Sequence, residues 1–416
     1  MHLAEVHATT LGMPDIPIVS LIHPLGGIDK QEVQAKARLA VDGLIAALTG
    51  KSTAVEVHES RPPEAKQVRV PNDLSTVLDF LRQSGWTDGL PVVPPTAELV
   101  SEMVAATGRP ADEVVAVLPP DDGEATVECI AANAVLAGCA PQVAPLLVAS
   151  VEAVATREFN LLGVQATTHP CAVLVIVSGP AAAEAGIAGG EGCLGTGFGT
   201  NLSLGRALRM ILMNIGGAVP GRTDRSCQGS PAKLAYCFTE NLVASPWAAF
   251  LADQGWSEAD SAVTVVAAEG PHNIQDHTSQ TAAGILDTVA SAMRNVGCND
   301  FAVQLGSTLR AGTRRFRSRP VVVLGPEHAQ TIAREGFTRT DVQRHLWEAA
   351  RILPSEIPHE WVGAARIEDR VPLLGGPEEV ILLVAGGIGK HSCWMPTFGD
   401  TAPVTRRVTL PAPPTR

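Results

Sequence analysis

Apolar, strand-like runs alternate with helix-like segments along most of this 416-residue chain. The runs lack the polar alternation of a half-exposed strand, so each indicates a strand that is covered on both faces. The clearest examples are CAVLVIVSGP (171–180), SAVTVVAAEG (261–270), RPVVVLG (319–325) and EEVILLVAGG (378–387). Strands separated by helices predict an α/β fold with largely parallel sheets and flanking helices.

The carboxyl ends of parallel strands are where an α/β sheet usually binds its ligands. Three predicted strand ends carry glycine turns, at Gly179-Pro180, Gly325-Pro326 and Gly386-Gly387. The chain shows no internal repeat of convincing period. These three turns are therefore the first places to look for a binding site.

Residues 12–50 form a separate pattern of one strand, one turn and one helix. The strand is predicted over Pro17–Ile22, and the helix is predicted to begin after Asp29 as its N-cap and to end at Gly50. One strand and one helix cannot bury both faces of a sheet, so this segment is interpreted as a βα fragment of a Rossmann-like domain.

The chain is accordingly divided into four parts. Residues 1–50 are the partial α/β domain, and the charged, proline-containing stretch 51–70 is a linker. Residues 71–408 form the large α/β domain, as one body or as two lobes, and 409–416 are a tail.

Composition excludes several classes of function. A net charge of −12 argues against nucleic-acid binding, which depends on Lys and Arg at phosphates, and against anionic membrane surfaces. The N-terminus has neither the basic nor the apolar region of a signal peptide, and the most apolar stretch, 171–190, is interrupted by proline and glutamate. With eight dispersed cysteines and no CxxC pair, we expect reduced thiols and a cytoplasmic location.

The glycine-rich segment GGEGCLGTGFGTN (189–201) precedes a predicted helix that Asn201 or Ser203 would cap. Glycines allow backbone N–H groups to approach a ligand, and a helix N-terminus favours an anion. We predict a pocket between residues 195–201 of this loop and the glycine turn VAGGIGK (384–390), although the same loop could need its glycines for packing alone. The candidate binding residues are Gly195, Gly197, Gly199, Thr200, Asn201, Gly386, Gly387 and Lys390.

Two cysteines are candidate reactive thiols. Cys227 lies in a polar turn near Arg222 and Lys233, and nearby cations lower a thiol pKa. Cys193, in the glycine loop, is the second candidate. A structural role is the alternative for either residue. The cysteines in apolar runs are expected to be buried, namely Cys129, Cys139 and Cys171.

Two His-x-Cys pairs, His169/Cys171 and His391/Cys393, lie near predicted strand ends. If they converged, they would form a His₂Cys₂ metal site, and a metal-dependent hydratase or lyase would be the corresponding alternative function. The sequence implies no particular cofactor apart from this alternative.

Several phrases of the sequence resemble the large form of the UGSC family of (seleno)proteins. They are LGMPDIPIVSLIHPLGG, DGLPVVPPT, ECIAANAVLAGCAP, GTGFGTNLSLGRALRMILMNIGGAVPG, SPAKLAYCFTEN, LGPEHAQTIAREGFTRTDV and VAGGIGKHS. In that family an N-terminal domain carries a Sec/Cys-Gly-Ser-Cys redox motif and a longer domain follows. This chain matches only the last part of the N-terminal domain, over residues 1–50, and contains no Cys-Gly-Ser-Cys.

The resemblance implies thiol chemistry in a hetero-oligomeric enzyme. A small partner subunit would supply the rest of the UGSC-like domain with its thiol motif, and this chain would be the large subunit, acting on a small organic or anionic substrate. Cys227 or Cys193 would then serve as the second thiol, and Arg206, Arg222 and Lys233 would stabilise charge. A non-catalytic scaffold that only completes the partner's fold is the remaining alternative.

Overall fold

The structure, a computed structural model, describes residues 67–310, 319–363 and 367–410, together with 30–49 and a few positions before them (8, 13 and 15–19). Its helices are α1 Lys30–Leu48, α2 Leu74–Gln83, α3 Ala97–Thr107, α4 Val127–Leu136, α5 Ala144–Val154, α6 Leu161–Ala166, α7 Pro180–Glu184, α8 Gly199–Asn214, α9 Ala282–Met293, α10 Asn299–Arg310, α11 Pro326–Arg334, α12 Arg339–Ala349 and α13 His359–Val362. Its strands are β1 Val114–Leu118, β2 Gly123–Thr126, β3 Ala172–Ser178, β4 Cys237–Thr239, β5 Ala262–Ala268, β6 His272–Gln275, β7 Val321–Leu324, β8 Arg351–Ile352, β9 Val371–Pro372, β10 Ile381–Val384, β11 His391–Met395 and β12 Val404–Arg407.

Two four-stranded sheets form the centre of the molecule. The first has the order β12-β5-β3-β4 and the second has the order β10-β7-β11-β6. In each sheet one pair is parallel, β3 with β4 and β7 with β10, and the other two pairs are antiparallel. Two small antiparallel hairpin-like pairs, β1 with β2 and β8 with β9, lie outside these sheets.

The two sheets pack against each other and are covered on their outer faces by helices. Alternate residues of β3 divide between two cores: Leu174 and Ile176 face the second sheet, whereas Val175 and Val177 face helices. The core between the sheets includes side chains of both, and the two outer cores contain mainly helices α3–α6 with α8 on one side and α9–α12 on the other. The result is a four-layer α/β/β/α arrangement, in which β5, β7 and β10 are buried on both faces.

The two sheets have the same topology, and the chain exchanges one strand between them. Each half runs from a central strand through a Gly-Pro turn and helices to a parallel neighbour, and then to an antiparallel neighbour. After the first half, β6 joins the second sheet by pairing with β11. After the second half, β12 joins the first sheet by pairing with β5. The sequence shows no repeat of convincing period, but this topology repeats, and the Gly-Pro turns at 179–180 and 325–326 occupy equivalent places in it.

The α/β class is confirmed, whereas the expected parallel pairing is wrong for most pairs because the sheets are mixed. A strand buried on both faces has the same continuous apolar composition whichever way its neighbour runs, so the sequence pattern could not separate the two cases. The predicted strand within 378–387 forms over Ile381–Val384, and it is followed by β11 and β12.

The N-terminal helix is present where the sequence predicts it, over Lys30–Leu48. The strand predicted before this helix, over Pro17–Ile22, is not observed. Residues 16–19 have no strand structure, and 20–22 lie outside the described residues. Within the predicted linker, 67–70 have no regular structure and 51–66 lie outside the described residues, as do 411–416 of the tail. The large domain begins with α2, which Asp73 caps by accepting the amide of Thr76.

Candidate functional site

A group of charged side chains is buried beside the beginning of β3. Lys233 Nζ lies 2.9 and 2.8 Å from the two carboxylate oxygens of Asp224, and Arg209 Nη2 lies 3.0 Å from Oδ2 of the same carboxylate. We call these three residues the cationic cluster, because two positive charges surround one negative charge. All three side chains are at least 85% buried.

The pKa values in the cationic cluster follow from this packing. Burial acts to raise the pKa of the Asp224 carboxyl, but Lys233, the Ser226 amide and Arg209 outweigh it and lower the pKa overall. Burial lowers the pKa of Arg209, and the charge of Asp224 opposes that shift. Asp224 is therefore ionised, and the cluster carries a net positive charge.

Local structure explains how these residues meet. Arg209 lies on α8, whose buried side packs on the outer core of the first sheet. The chain then turns back through positive-φ glycines at 217 and 221, and Ser230 caps a single 3₁₀ turn that ends at Lys233. Asp224 in this returning segment also accepts the amide of Ser226, which fixes its orientation.

A small cavity of about 20 Å³ adjoins the cationic cluster, enough room for one water molecule. The Gln165 amide is buried in its wall, and its Nε2 group has no hydrogen-bond partner. Its other lining residues include Arg209, Lys233, Cys171, Gly205 and Ala232. Three side chains that carry N–H donors thus line one cavity; Arg209 and Lys233 also donate to Asp224, and Gln165 Nε2 has no acceptor. Such a lining suits an anion or a carbonyl oxygen.

His169, two residues before Cys171, forms a dyad with a carboxylate. Its Nε2 lies 2.8 Å from Oε1 of Glu269, and its Nδ1 is buried without a partner. An ionised carboxylate only accepts, so Nε2 is the donor of this contact, and Nδ1 is the ring nitrogen that has no partner. A histidine oriented by a carboxylate, with its other nitrogen free, has the geometry of a general base.

Two cysteines lie at this site. Cys171 lines the cavity, and burial raises its pKa to about 12, against the charge of Lys233. Cys227 is exposed, and its backbone N–H donates to the carbonyl of Thr168 at 3.0 Å, next to His169. Cys227 is thus joined through its backbone to the residue before His169, whereas Cys171 lines the cavity together with Lys233.

The other cysteines differ in exposure. Cys129 is exposed and Cys139 is intermediate, so the expected burial is confirmed for Cys171 alone among the three in apolar runs. Cys193 is buried, and burial raises its pKa although the Gly386 amide opposes the shift. Cys393 interacts electrostatically with Cys193, and both belong to the core between the sheets.

The predicted glycine site is only partly assembled. Gly195, Gly197 and Gly199 are exposed, and a Cβ at Gly197 or Gly199 would meet no atom within 4 Å. Helix α8 begins at Gly199 after Phe198, without a side-chain cap, and the half-buried Thr200 lies in its first turn. The expectation that Asn201 or Ser203 caps this helix is wrong, because both residues lie within it.

Asn201 is instead a buried anchor for the glycine loop. Its Oδ1 accepts the amide of Ala188, and its Nδ2 donates to the carbonyls of Ala188, Cys193 and Cys237, at 2.8–3.2 Å. Both the oxygen and the nitrogen of the Asn201 amide are thus occupied by backbone groups of the protein. The predicted role of Asn201 in substrate binding is therefore corrected to a structural role.

The second glycine turn does contact the first loop, but at an earlier position than predicted. The Gly386 amide donates to the Gly189 carbonyl at 2.8 Å, and a Cβ on Gly387 would lie 2.6 Å from Cβ of Glu191. The two turns therefore meet through 189–191, and the contact is too close to leave a pocket between those residues. Lys390 donates to the carbonyl of His277 at 3.2 Å.

Two predicted cations are already paired. Arg206 donates to both carboxylate oxygens of Asp88 and to the carbonyl of Pro91. Arg222 is half exposed and donates to Asp121 and to the carbonyl of Gly217. Arg206 thus joins α8 to the segment before α3, and the structure gives it a packing role that the sequence did not indicate.

The two His-x-Cys pairs do not form one metal site. Cys171 belongs to the outer core of the first sheet and Cys393 to the core between the sheets, while His169 pairs with Glu269 and His391 pairs with His277. Within the described residues, no group of three or more His, Cys, Asp or Glu side chains could hold a metal ion. The two pairs do not converge, so the alternative of a His₂Cys₂ metal site is wrong.

Sequence reasoning missed four residues of this site: Gln165, Arg209, Asp224 and Glu269. Glu269 directly follows the apolar strand β5, and an acid at a strand end was a usable signal. Arg209 and Asp224 had no comparable signal, since charged residues on a helix or in a turn are ordinarily solvated.

The fold and the site together define an α/β protein with two mixed sheets and a buried cationic cluster beside a His–Glu dyad. None of the helices in the described ranges combines the length and the apolar composition needed to cross a membrane. Comparison with protein-family models, curated proteins and solved structures finds no match to this chain.

Proposed function

We propose that this chain is the large subunit of a thiol-dependent enzyme that binds a small anionic substrate at the cationic cluster. The observation that carries this proposal is the pair of buried cations, Arg209 and Lys233, which share one carboxylate beside the unpaired Nε2 of Gln165. A carboxylate or a developing oxyanion on the substrate would supply the missing acceptor and balance the remaining positive charge.

In this proposal the protein residues have distinct roles. Gln165, Arg209 and Lys233 bind and orient the anionic group, and His169, held by Glu269, accepts a proton at Nδ1. Cys227 at the rim is the second thiol, which reacts after the first thiol of the partner subunit. The cavity admits only one water-sized group, so a larger substrate would enter only if the residues that line the cavity move apart.

The partner subunit is proposed to bind helix α1. Val41, Leu44, Ile45 and Leu48 follow helical spacing on one face of this helix, and each is 45–78% exposed. An apolar stripe of this kind is typical of a surface that another chain covers. A cytoplasmic location belongs to the same proposal, since the eight cysteines are all free thiols.

The anion site can be tested with two alkylating reagents that differ in charge. Iodoacetate is an anion and iodoacetamide is neutral, so positive potential at a thiol favours iodoacetate relative to iodoacetamide. We expect this ratio of rates to be several-fold higher at Cys227 than at Cys129, the other exposed cysteine, and to fall in Lys233→Gln. Equal ratios at the two thiols in the wild-type protein would refute the anion site.

The role of His169 has its own measurement. His169→Gln should slow alkylation of Cys227 by iodoacetamide near pH 7 and leave it unchanged near pH 10, where the thiol ionises without a base. A rate that is insensitive to the substitution at both pH values would remove His169 from the mechanism.

The subunit proposal is tested by binding to the small protein that carries the rest of the UGSC-like domain. Leu44→Glu places a charge in the apolar stripe and should abolish association measured by analytical ultracentrifugation. Leu39→Glu changes an exposed leucine on the opposite side of the same helix and should not. If mixed subunits are active and Cys227→Ala leaves that activity intact, this chain is a scaffold and not a catalytic subunit.

A further inference from the structure

Two imidazoles face each other on the surface of the second sheet. His277 Nε2 and His391 Nε2 lie 3.3 Å apart, the ring centroids are 5.1 Å apart, and the rings are nearly perpendicular. Both side chains are exposed. Neither residue belongs to the cationic cluster, so this pair is unrelated to the proposed anion site.

Strand register accounts for the approach of these two residues. In the antiparallel pair of β6 and β11, His391 lies directly opposite Gln275. Asn273 lies two residues before Gln275 in β6, diagonally from His391 on the same face of the sheet, and His277 follows Gln275 by two residues, just beyond the end of β6. The arrangement follows from the pairing of β6 with the sheet of the other half of the chain.

The separation of the two nitrogens fits a shared metal ion. Two nitrogens that each lie about 2.0–2.1 Å from one zinc ion, at a tetrahedral angle, are separated by about 3.3 Å. His391 Nδ1 lies 3.1 Å from Oδ1 of Asn273, a contact that places the proton on Nδ1 and leaves Nε2 with its lone pair. The ligand nitrogen is thus the one that faces His277.

Buried hydrogen bonds hold the backbone that carries both imidazoles. His328 Nδ1 lies 2.8 Å from the hydroxyl of Ser392, and its Nε2 lies 3.1 Å from the carbonyl of Asp276. Each of these partners is adjacent in sequence to one member of the pair. The Asp276 carboxylate in turn accepts the amides of Thr278 and Ser279 and the hydroxyl of Thr288.

We propose that His277 and His391 form a binding site for a borderline divalent metal ion such as Zn²⁺ or Cu²⁺. The two Nε2 atoms are its protein ligands, and solvent fills the other positions, since the described residues provide no group of three or more His, Cys, Asp or Glu ligands. Imidazole suits these ions, and the held backbone reduces the cost of bringing the two ligands together.

The test is a titration of the whole chain with ZnSO₄, followed by isothermal calorimetry at neutral pH. We expect one saturable site in the wild-type protein, and loss of that site in both His277→Gln and His391→Gln. His272→Gln, at the beginning of the same strand β6, is the matched control and should bind as the wild type does. Asn273→Ala, which removes the contact to Nδ1, should weaken binding by roughly 10-fold or more.

A second measurement identifies the ligands directly. Electron paramagnetic resonance of the protein with one equivalent of Cu²⁺ should show coupling to two imidazole nitrogens in the wild type and to fewer in each histidine variant. Thermal unfolding midpoints of all variants without metal verify that they fold. Binding that persists in the double variant His277→Gln/His391→Gln, or that is equally weakened by His272→Gln, would overturn the proposal.

Discussion

Arg206 donates two hydrogen bonds to the carboxylate of Asp88, which lies 118 residues earlier in the chain. The distances are 2.6 and 2.7 Å, and the side chains are 16% and 9% exposed. This geometry joins the glycine-containing turn before α3 to the middle of α8. A bidentate pair of this kind contributes geometric specificity as well as energy.

We predict that Asp88→Asn lowers the free energy of unfolding by about 2–4 kcal/mol at pH 7, because it leaves a largely buried guanidinium without its counter-charge. Burial acts to raise the pKa of Asp88, but the hydrogen bonds and charge of Arg206 outweigh it and lower the pKa. The contribution of the pair is therefore present above the ordinary carboxyl pKa and is lost as the pH falls through the lowered value.

Urea unfolding at pH 7 and at pH 3 checks this prediction. Asp79→Asn is the control, since the Asp79–Arg82 pair is 59% and 68% exposed and should contribute about 0.5 kcal/mol or less. Equal effects of the two substitutions at pH 7 would contradict it.

The Asn201 amide should be indispensable for order in the glycine loop. Asn201→Asp replaces the group that donates to three carbonyls by a buried carboxylate, so we expect a loss of about 2–4 kcal/mol and faster proteolysis within 189–199. Ser203→Ala, on the same helix, removes a 3.4 Å contact to the Thr200 carbonyl and a contact with the Cys139 thiol, and it should leave both measurements near wild type. Urea unfolding and limited proteolysis with peptide mapping test the pair.

We predict that the glycines of the two equivalent Gly-Pro turns, Gly179 and Gly325, cannot be replaced by alanine without loss of stability. A Cβ at Gly179 would lie 2.0 Å from the carbonyl oxygen of Asp260, and one at Gly325 would lie 2.1 Å from that of His391. Both Gly179→Ala and Gly325→Ala should therefore destabilise the protein by about 2–5 kcal/mol, because backbone must shift. Gly199→Ala meets open space and should be nearly neutral in the same thermal unfolding assay.

We predict that the free energy of unfolding depends on pH because of the buried carboxyl of Glu240. Burial raises the pKa of its carboxyl to about 7, although the Phe250 amide and Arg339 act against the shift. The unfolded chain ionises this group at its ordinary pKa near 4.5, so the stabilising effect of the native environment is complete below that pH. It is lost as the pH rises towards 7.

Glu240→Gln removes this titration. Between pH 5 and pH 8 the variant should gain about 1–3 kcal/mol relative to the wild type in the free energy of unfolding. A difference between the two proteins that is constant over this range would show that Glu240 does not titrate with a raised pKa.

Local features of the fold could be predicted from the sequence because their causes are local. Helix α1 forms over Lys30–Leu48 as predicted, and the Gly-Pro turns end β3 and β7. The boundary of α8 was misplaced because an asparagine near a helix start resembles a cap, and only the tertiary structure shows that Asn201 is used elsewhere.

The candidate site was predicted only in part for a different reason. Cys227 and Lys233 were found from their neighbours in sequence, but Cys227 contacts Thr168, which lies 59 residues earlier, and the His169–Glu269 dyad joins two separate segments. His169 and Glu269 are 100 residues apart in the sequence. Arg209 lies on α8, 15 residues before Asp224. Pairing across such separations depends on strand order, which apolar strands buried on both faces do not encode.

The exchange of β6 and β12 between the two sheets makes this chain the single-polypeptide counterpart of a domain-swapped dimer. Neither half holds all the strands of its own sheet, so a fragment containing one half would leave an antiparallel edge open. Cooperativity should therefore extend across both halves. Residues 71–408 are expected to unfold in one transition, although a chain of this length would ordinarily be expected to melt as separate domains.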